Sequence, residues 1–92
     1  MAAKYIMRRN SIKTIQRLKN KRPISCLTAY TSSIAKIVDQ NVDVILVGDS
    51  LGTVIYGFKN TRSVTLEMMK NHGRAVVQSS QKSFTIVDMP YK

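Results

Sequence analysis

A chain of 92 residues has room for one small domain at most and buries only a modest share of its surface on folding. Its 43% apolar and 22% charged residues are ordinary globular composition and argue against disorder, and no apolar run reaches the ~18 residues of a membrane span, so a soluble cytoplasmic protein is expected. The formal charge of +10 is local: eight of the fifteen basic residues fall between Lys4 and Arg22, where there is no acid.

Residues 1–22 therefore form a basic N-terminal arm. Nucleic-acid binding, an organelle-targeting peptide and a solvated basic helix ahead of the domain all fit such charge. The third fits best. Only Tyr5 lies among the basic residues, which argues against nucleic acid, and a single Ser followed directly by a strand argues against a transit peptide. Within the arm, Ser11 is an N-cap for a helix whose Ile12, Ile15 and Leu18 recur every three positions and which Pro23 closes. Ile24 to Thr28 is short and apolar, the pattern of a strand. The single Cys26 lies within it, has no internal disulfide partner and is expected to be a small buried hydrophobe.

The Thr31-Ser32-Ser33 cluster suits the start of a helix over Ile34 to Gln40, with Ile34, Ala35, Ile37 and Val38 on its buried side. Val42 to Val47 is apolar almost without interruption, as in a strand covered on both faces. After Gly48-Asp49-Ser50-Leu51-Gly52 a loop of about ten residues leads to a helix starting near Thr65. On it Leu66, Met69, Val76 and Val77 share helical spacing, with Gly73 on the same face for close approach to a neighbour. Phe84 to Val87 is the last strand. A helix followed by β-α-β-α-β implies right-handed parallel crossovers and an α/β fold.

Asp49 and Asp88 each follow an apolar strand directly, and ligands of parallel α/β sheets bind at the strand C-termini. If their strands are neighbours, about 5 Å apart, the two carboxylates can share one site of hard oxygen donors suited to Mg2+. Spacing alone leaves the other reading open, in which Asp49 caps a turn and Asp88 merely precedes Pro90 in a loop.

Leu27-Thr28-Ala29-Tyr30, the VGDSLG block at 47–52, Val64-Thr65-Leu66 opening a helix, and Val87-Asp88-Met89-Pro90 closely resemble, in order and spacing, successive motifs of the ketopantoate hydroxymethyltransferase family. The resemblance covers about residues 11 to 92. It implies the N-terminal part, about three βα units, of a (β/α)8 barrel of ~250 residues, preceded by a short helix. It also implies that Asp49 and Asp88 are Mg2+ ligands, and that they and Ser50 form the substrate site. The implied substrate, 3-methyl-2-oxobutanoate, chelates the metal, loses a proton beside its keto group and takes a hydroxymethyl group from 5,10-methylenetetrahydrofolate, giving 2-dehydropantoate for pantothenate biosynthesis.

By the same resemblance the general base, a third carboxylate and a substrate-contacting Lys come from beyond residue 92, so no catalytic residue is assigned here and these residues alone are expected to be inactive. The family also forms homo-oligomers. Thr31, where the family commonly has Asp, and Arg62-Ser63 depart from its pattern. His72 matches a His often present in that helix and is expected to be partly buried and hydrogen-bonded locally. The alternatives are a non-catalytic truncated remnant, a small basic nucleic-acid-associated protein, and a relative acting on another 2-oxo acid.

Overall fold

In the computed structural model the described residues are 9–91; residues 1–8 of the basic arm and residue 92 lie outside them. In chain order the elements are α1 (Ile12–Gln16), β1 (Cys26–Thr28), α2 (Ser32–Asp39), β2 (Val44–Val47), α3 (Leu51–Val54), a turn of 3-10 helix (Thr61–Ser63), α4 (Leu66–Ser79) and β3 (Phe84–Val87). The three strands form one parallel sheet in the order β1-β2-β3, with Leu27, Ile45 and Thr85 in register. The expected α/β order is present.

The apolar run that becomes β2 takes the central place, where both neighbours satisfy its backbone. Ile45 and Val47 are fully buried under α2 and α4, which pack against β2 and against each other. Together with Ala35, Leu51, Met69 and Val76 they form the core. Gly73 does what its place in the sequence suggests: a Cβ there would lie 3.1 Å from Val87 Cγ2, so α4 lies close against β3 because that position carries no side chain. Strand residues alternate in direction, so Cys26, Thr28, Phe84 and Ile86 lie on the face away from these helices.

Several expectations need correction. Helix α1 ends at Gln16 instead of running to Pro23; Asn20 has a left-handed φ of 64°, which Asn tolerates better than most residues, and turns carry the chain on. Ser11 caps α1 as expected, yet no α1 residue is buried and Ile12 is exposed, since among the described residues no layer lies outside α1. In α2 the buried residues are Ala35 and Asp39, while Ile34 and Ile37 are 48% and 65% exposed. Each Ile precedes a contact residue by one position, a rotation of about 100° away from the sheet. On α4 the contact stripe is Met69, Gly73 and Val76, and Leu66 and Val77 lie off it and are exposed. Cys26 is exposed because β1 is an edge strand among the described residues. The predicted ten-residue loop contains α3 and the 3-10 turn.

Polar locks close the end of the sheet where the strands begin. The buried Asp39, last residue of α2, accepts backbone N–H bonds from Gln81 (2.8 Å), Lys82 (3.1 Å) and Ser83 (2.7 Å), the segment that feeds β3. Ser83 Oγ donates in return to the Asp39 and Val42 carbonyls. Asp43, just before β2, takes a bidentate Arg22 guanidinium at 2.8 Å on each oxygen, plus the N–H and hydroxyl of Ser25. Arg9 caps α4, its guanidinium donating to the carbonyls of Val77, Ser80 and Ser83 and to Ser80 Oγ. The α4 C-terminus, which has no Gly cap, depends on that residue of the basic arm.

Burial raises the proton affinity of Asp39, but the Gln81, Ser83 and Lys82 amides together outweigh it and its pKa is lowered. The Arg22 hydrogen bond, followed by that of the Ser25 amide, holds the Asp43 carboxyl well below the usual carboxylate range. Both carboxyls therefore bind protons more weakly folded than unfolded. The stability they supply is complete above about pH 4, where the unfolded groups are also ionised, and is lost as pH falls further through the folded values. Chemical denaturation from pH 7 to pH 3 should show this loss on acidification. Asp39→Ala, which strands three donors, should cost about 2–4 kcal/mol at pH 7 and flatten the acid dependence.

Candidate active site

At the opposite end, β2 gives way at Gly48 to a tight turn. Leu51 N–H donates to Gly48 O (3.2 Å) and Gly52 N–H to Asp49 O (2.9 Å), opening α3. The fully buried Leu51 anchors this turn from below, and at Gly52 any Cβ would collide with Val64 Cγ2. The VGDSLG block is thus a strand end followed by a turn held down by its Leu and by its second Gly. Asp49 and Ser50 are left at the rim, both partly exposed.

The pairing of β3 with β2 runs one residue past the strand, through Asp88 N–H to Val47 O (3.0 Å), and so brings Asp88 beside the turn. Its Oδ2 accepts the Asp49 N–H at 3.1 Å. A Cβ on Gly48 would stand 3.4 Å from Ser50 Oγ and 3.5 Å from Asp88 Oδ2, so the hydroxyl and the carboxylate both border the space that this glycine leaves open. The structure thus brings together Asp49, Ser50 and Asp88. Asp88 also has a structural duty that neither sequence reading foresaw, and the Asp49 carboxylate has no hydrogen-bond partner among the described residues.

Tyr30 belongs to this cluster and sequence reasoning used it only as part of a motif. Its hydroxyl lies 2.6 Å from Ser50 Oγ. The signal was available: it stands two residues past β1, at the same strand end as the acids. His72 is partly buried as expected, but its partners are not local. Nδ1 lies 2.6 Å from the Tyr30 main-chain oxygen and Nε2 lies 2.8 Å from the Tyr56 hydroxyl, 42 and 16 residues away in sequence.

The Asp88 carboxylate beside the Asp49 amide, the Asp49 side chain on the same turn and the Ser50 and Tyr30 hydroxyls supply hard-oxygen donors, which fit Mg2+ and not a thiolate-seeking metal. Among the described residues no three His, Cys, Asp or Glu side chains converge. An ion held by Asp49 and Asp88 would draw its other ligands from water, substrate or other parts of the chain. A cleft of about 490 Å3 between α2 and α4, lined by Lys36, Gln40, Gln78 and Lys82 among others, opens beside Asp39, away from these residues. No helix among the described residues is long and apolar enough to cross a membrane.

Residues 9–92 match the family model described as ketopantoate hydroxymethyltransferase. A Rhizobium rhizogenes protein named 3-methyl-2-oxobutanoate hydroxymethyltransferase is 50% identical over 91 residues, covering 99% of this chain and 33% of that protein. Proteins of the same name are 48% identical over 91 residues in Sinorhizobium fredii, with the same two coverages, and 51% identical over 81 residues in Anaplasma marginale, covering 88% of this chain and 29% of the relative. The chain spans about a third of the length of the curated relatives it matches.

The bond between Asp88 and the Asp49 amide separates two roles of one carboxylate. Asp88→Asn keeps a side-chain oxygen for that N–H and should unfold in urea within about 0.5 kcal/mol of the unaltered protein, whereas Asp88→Ala should lose about 1 kcal/mol. Equal loss in both would mean that the amide contact contributes nothing to stability.

Proposed function

The chain belongs to the ketopantoate hydroxymethyltransferase family, and on that premise we propose that its residues serve the transfer of a hydroxymethyl group from 5,10-methylenetetrahydrofolate to 3-methyl-2-oxobutanoate, giving 2-dehydropantoate for pantothenate biosynthesis. The observation that carries this reading is the meeting of Asp49, Ser50 and Asp88 at the C-terminal ends of adjacent parallel strands, with Asp88 Oδ2 on the Asp49 amide.

In this reading Asp49 and Asp88 hold Mg2+, and Ser50 contacts the 2-oxo acid. When bound, the ion supplies Lewis-acid polarisation of the substrate's keto and carboxylate oxygens. The chain's own groups bind and orient. Asp88 fixes the Asp49 turn through its amide, so the turn and the Asp88 carboxylate are held in place, while the Asp49 carboxylate stays free to take a ligand. Tyr30 orients the Ser50 hydroxyl toward an acceptor on the substrate. Deprotonation beside the keto group needs a general base, and the proposal assigns that role to none of Asp49, Ser50 and Asp88.

The proposal also takes the sheet as the first three strands of a (β/α)8 barrel. The face bearing Cys26, Thr28 and Ile86 then looks into the barrel, and the free edges of β1 and β3 pair with further strands. It makes the working enzyme a cytoplasmic homo-oligomer. A nucleic-acid role for the basic arm is less well supported, because Arg9 and Arg22 spend their guanidinium groups on α4 and Asp43.

Asp49→Asn and Asp88→Asn, made in the protein from its native source, should each weaken Mg2+ binding beyond the ~10–100-fold typical of changes to groups behind the ligands, with matching loss of 2-dehydropantoate formation. Titrating Mg2+ by calorimetry and by activity checks both effects. Unchanged metal affinity in both variants would sink the assignment.

A further inference from the structure

Tyr30 leaves the sheet at a point where its own carbonyl has no strand to bond. The N–H before it, on Ala29, still reaches Leu46 O at 3.2 Å, and beyond this the Tyr30 oxygen is met by His72 Nδ1 from α4 at 2.6 Å. A carbonyl oxygen can only accept, so Nδ1 carries the hydrogen. In the neutral ring Nε2 is then the acceptor, and the Tyr56 hydroxyl at 2.8 Å is its donor. The ring is held further by an edge-to-face contact with Tyr56, centroids 5.6 Å apart, and Tyr56 in turn stacks on Phe58 at 5.7 Å. One imidazole therefore ties the end of β1, helix α4 and the segment after α3 together.

We propose that His72 is a positioning residue for the Tyr30–Ser50 hydroxyl pair. Its grip on the Tyr30 carbonyl fixes the main chain from which the phenol reaches Ser50 Oγ, 2.6 Å away. A phenol is the stronger donor of the two hydroxyls, so Tyr30 O–H donates to Ser50 Oγ and leaves the Ser50 hydrogen to point at an oxygen acceptor of the ligand. The functional half of this inference rests on the proposed contact of Ser50 with a 2-oxo acid. The geometric half, the Nδ1–H tautomer bonded to Tyr30 O, does not.

The test compares His72→Leu, His72→Asn and His72→Gln in the protein from its native source. The Asn amide lies near the place of Nδ1 and can donate to Tyr30 O; the Gln amide reaches toward Nε2 and cannot. With His72→Leu, KM for the 2-oxo acid should rise about tenfold while kcat stays within about threefold, since the lost contact acts equally on bound substrate and transition state. His72→Asn should restore KM to within about threefold and His72→Gln should not. Rescue by Gln equal to that by Asn, or an unaltered KM in His72→Leu, would overturn the proposal.

Nitrogen-15 NMR of the ring, with His72→Asn as the blank that identifies its signals, gives a reading that needs neither turnover nor a stable Leu variant. The Nδ1–H tautomer is expected, and the Nε2–H tautomer would overturn the proposal. If the unaltered protein fails to convert 3-methyl-2-oxobutanoate, the proposed function falls by itself and the tautomer still decides the role of His72.

Discussion

Asp39 sets the register on which the chemistry depends. The segment entering β3 presents three consecutive amides, and the Asp39 carboxylate takes all of them, so β3 starts at one fixed height against β2. Side chains alternate along a strand, so a slip of one residue would turn Asp88 to the other face and break its contact with the Asp49 amide. A buried carboxylate at the foot of the sheet thus decides where another carboxylate sits at the top. The strand between them is only four residues long, which leaves little length over which an error could be absorbed.

The two ends of the sheet divide the work. At the foot Asp39 and Asp43 are buried, and each has its acceptor sites filled by amides, hydroxyls or a guanidinium, so they behave as structural anions. At the top Asp49 and Ser50 are partly exposed and carry fewer bonds than they could accept. The same residue type is locked at one end and available at the other. This is the arrangement expected of parallel α/β folds, whose strand C-termini carry function while the opposite end carries stability.

Sequence exposed the central parts well. The unbroken apolar run of β2, the helix holding Met69, Gly73 and Val76, and the acids one or two residues past a strand all follow from periodicity and strand-end logic. The features it missed are those settled by partners distant in sequence. Nothing local marks Asp39 as the acceptor for residues more than 40 positions away, nor His72 as the partner of the Tyr30 carbonyl. The face of α2 was misread because hydrophobicity ranked Ile34 and Ile37 above Ala35. Close packing on the sheet instead selected the small side chain.

The exposed apolar residues bear on how firmly the site is held. Leu27, Ile86 and Val87 are 53%, 44% and 38% exposed, although they lie in strands of one sheet. Covering a few hundred Å2 of such surface at ~25 cal/mol per Å2 is worth several kcal/mol, comparable to the whole stability of a small domain. The helices already fill the side of the sheet that carries Ile45 and Val47, so what can still be gained lies on the other side and at the edges. Whatever packs there would stiffen β2 and β3 directly, and with them the turn that holds Asp49 and Ser50. In the proposed barrel further strands of the same fold would pack there, so closure of the sheet and rigidity of the Asp49, Ser50 and Asp88 cluster would be the same physical event.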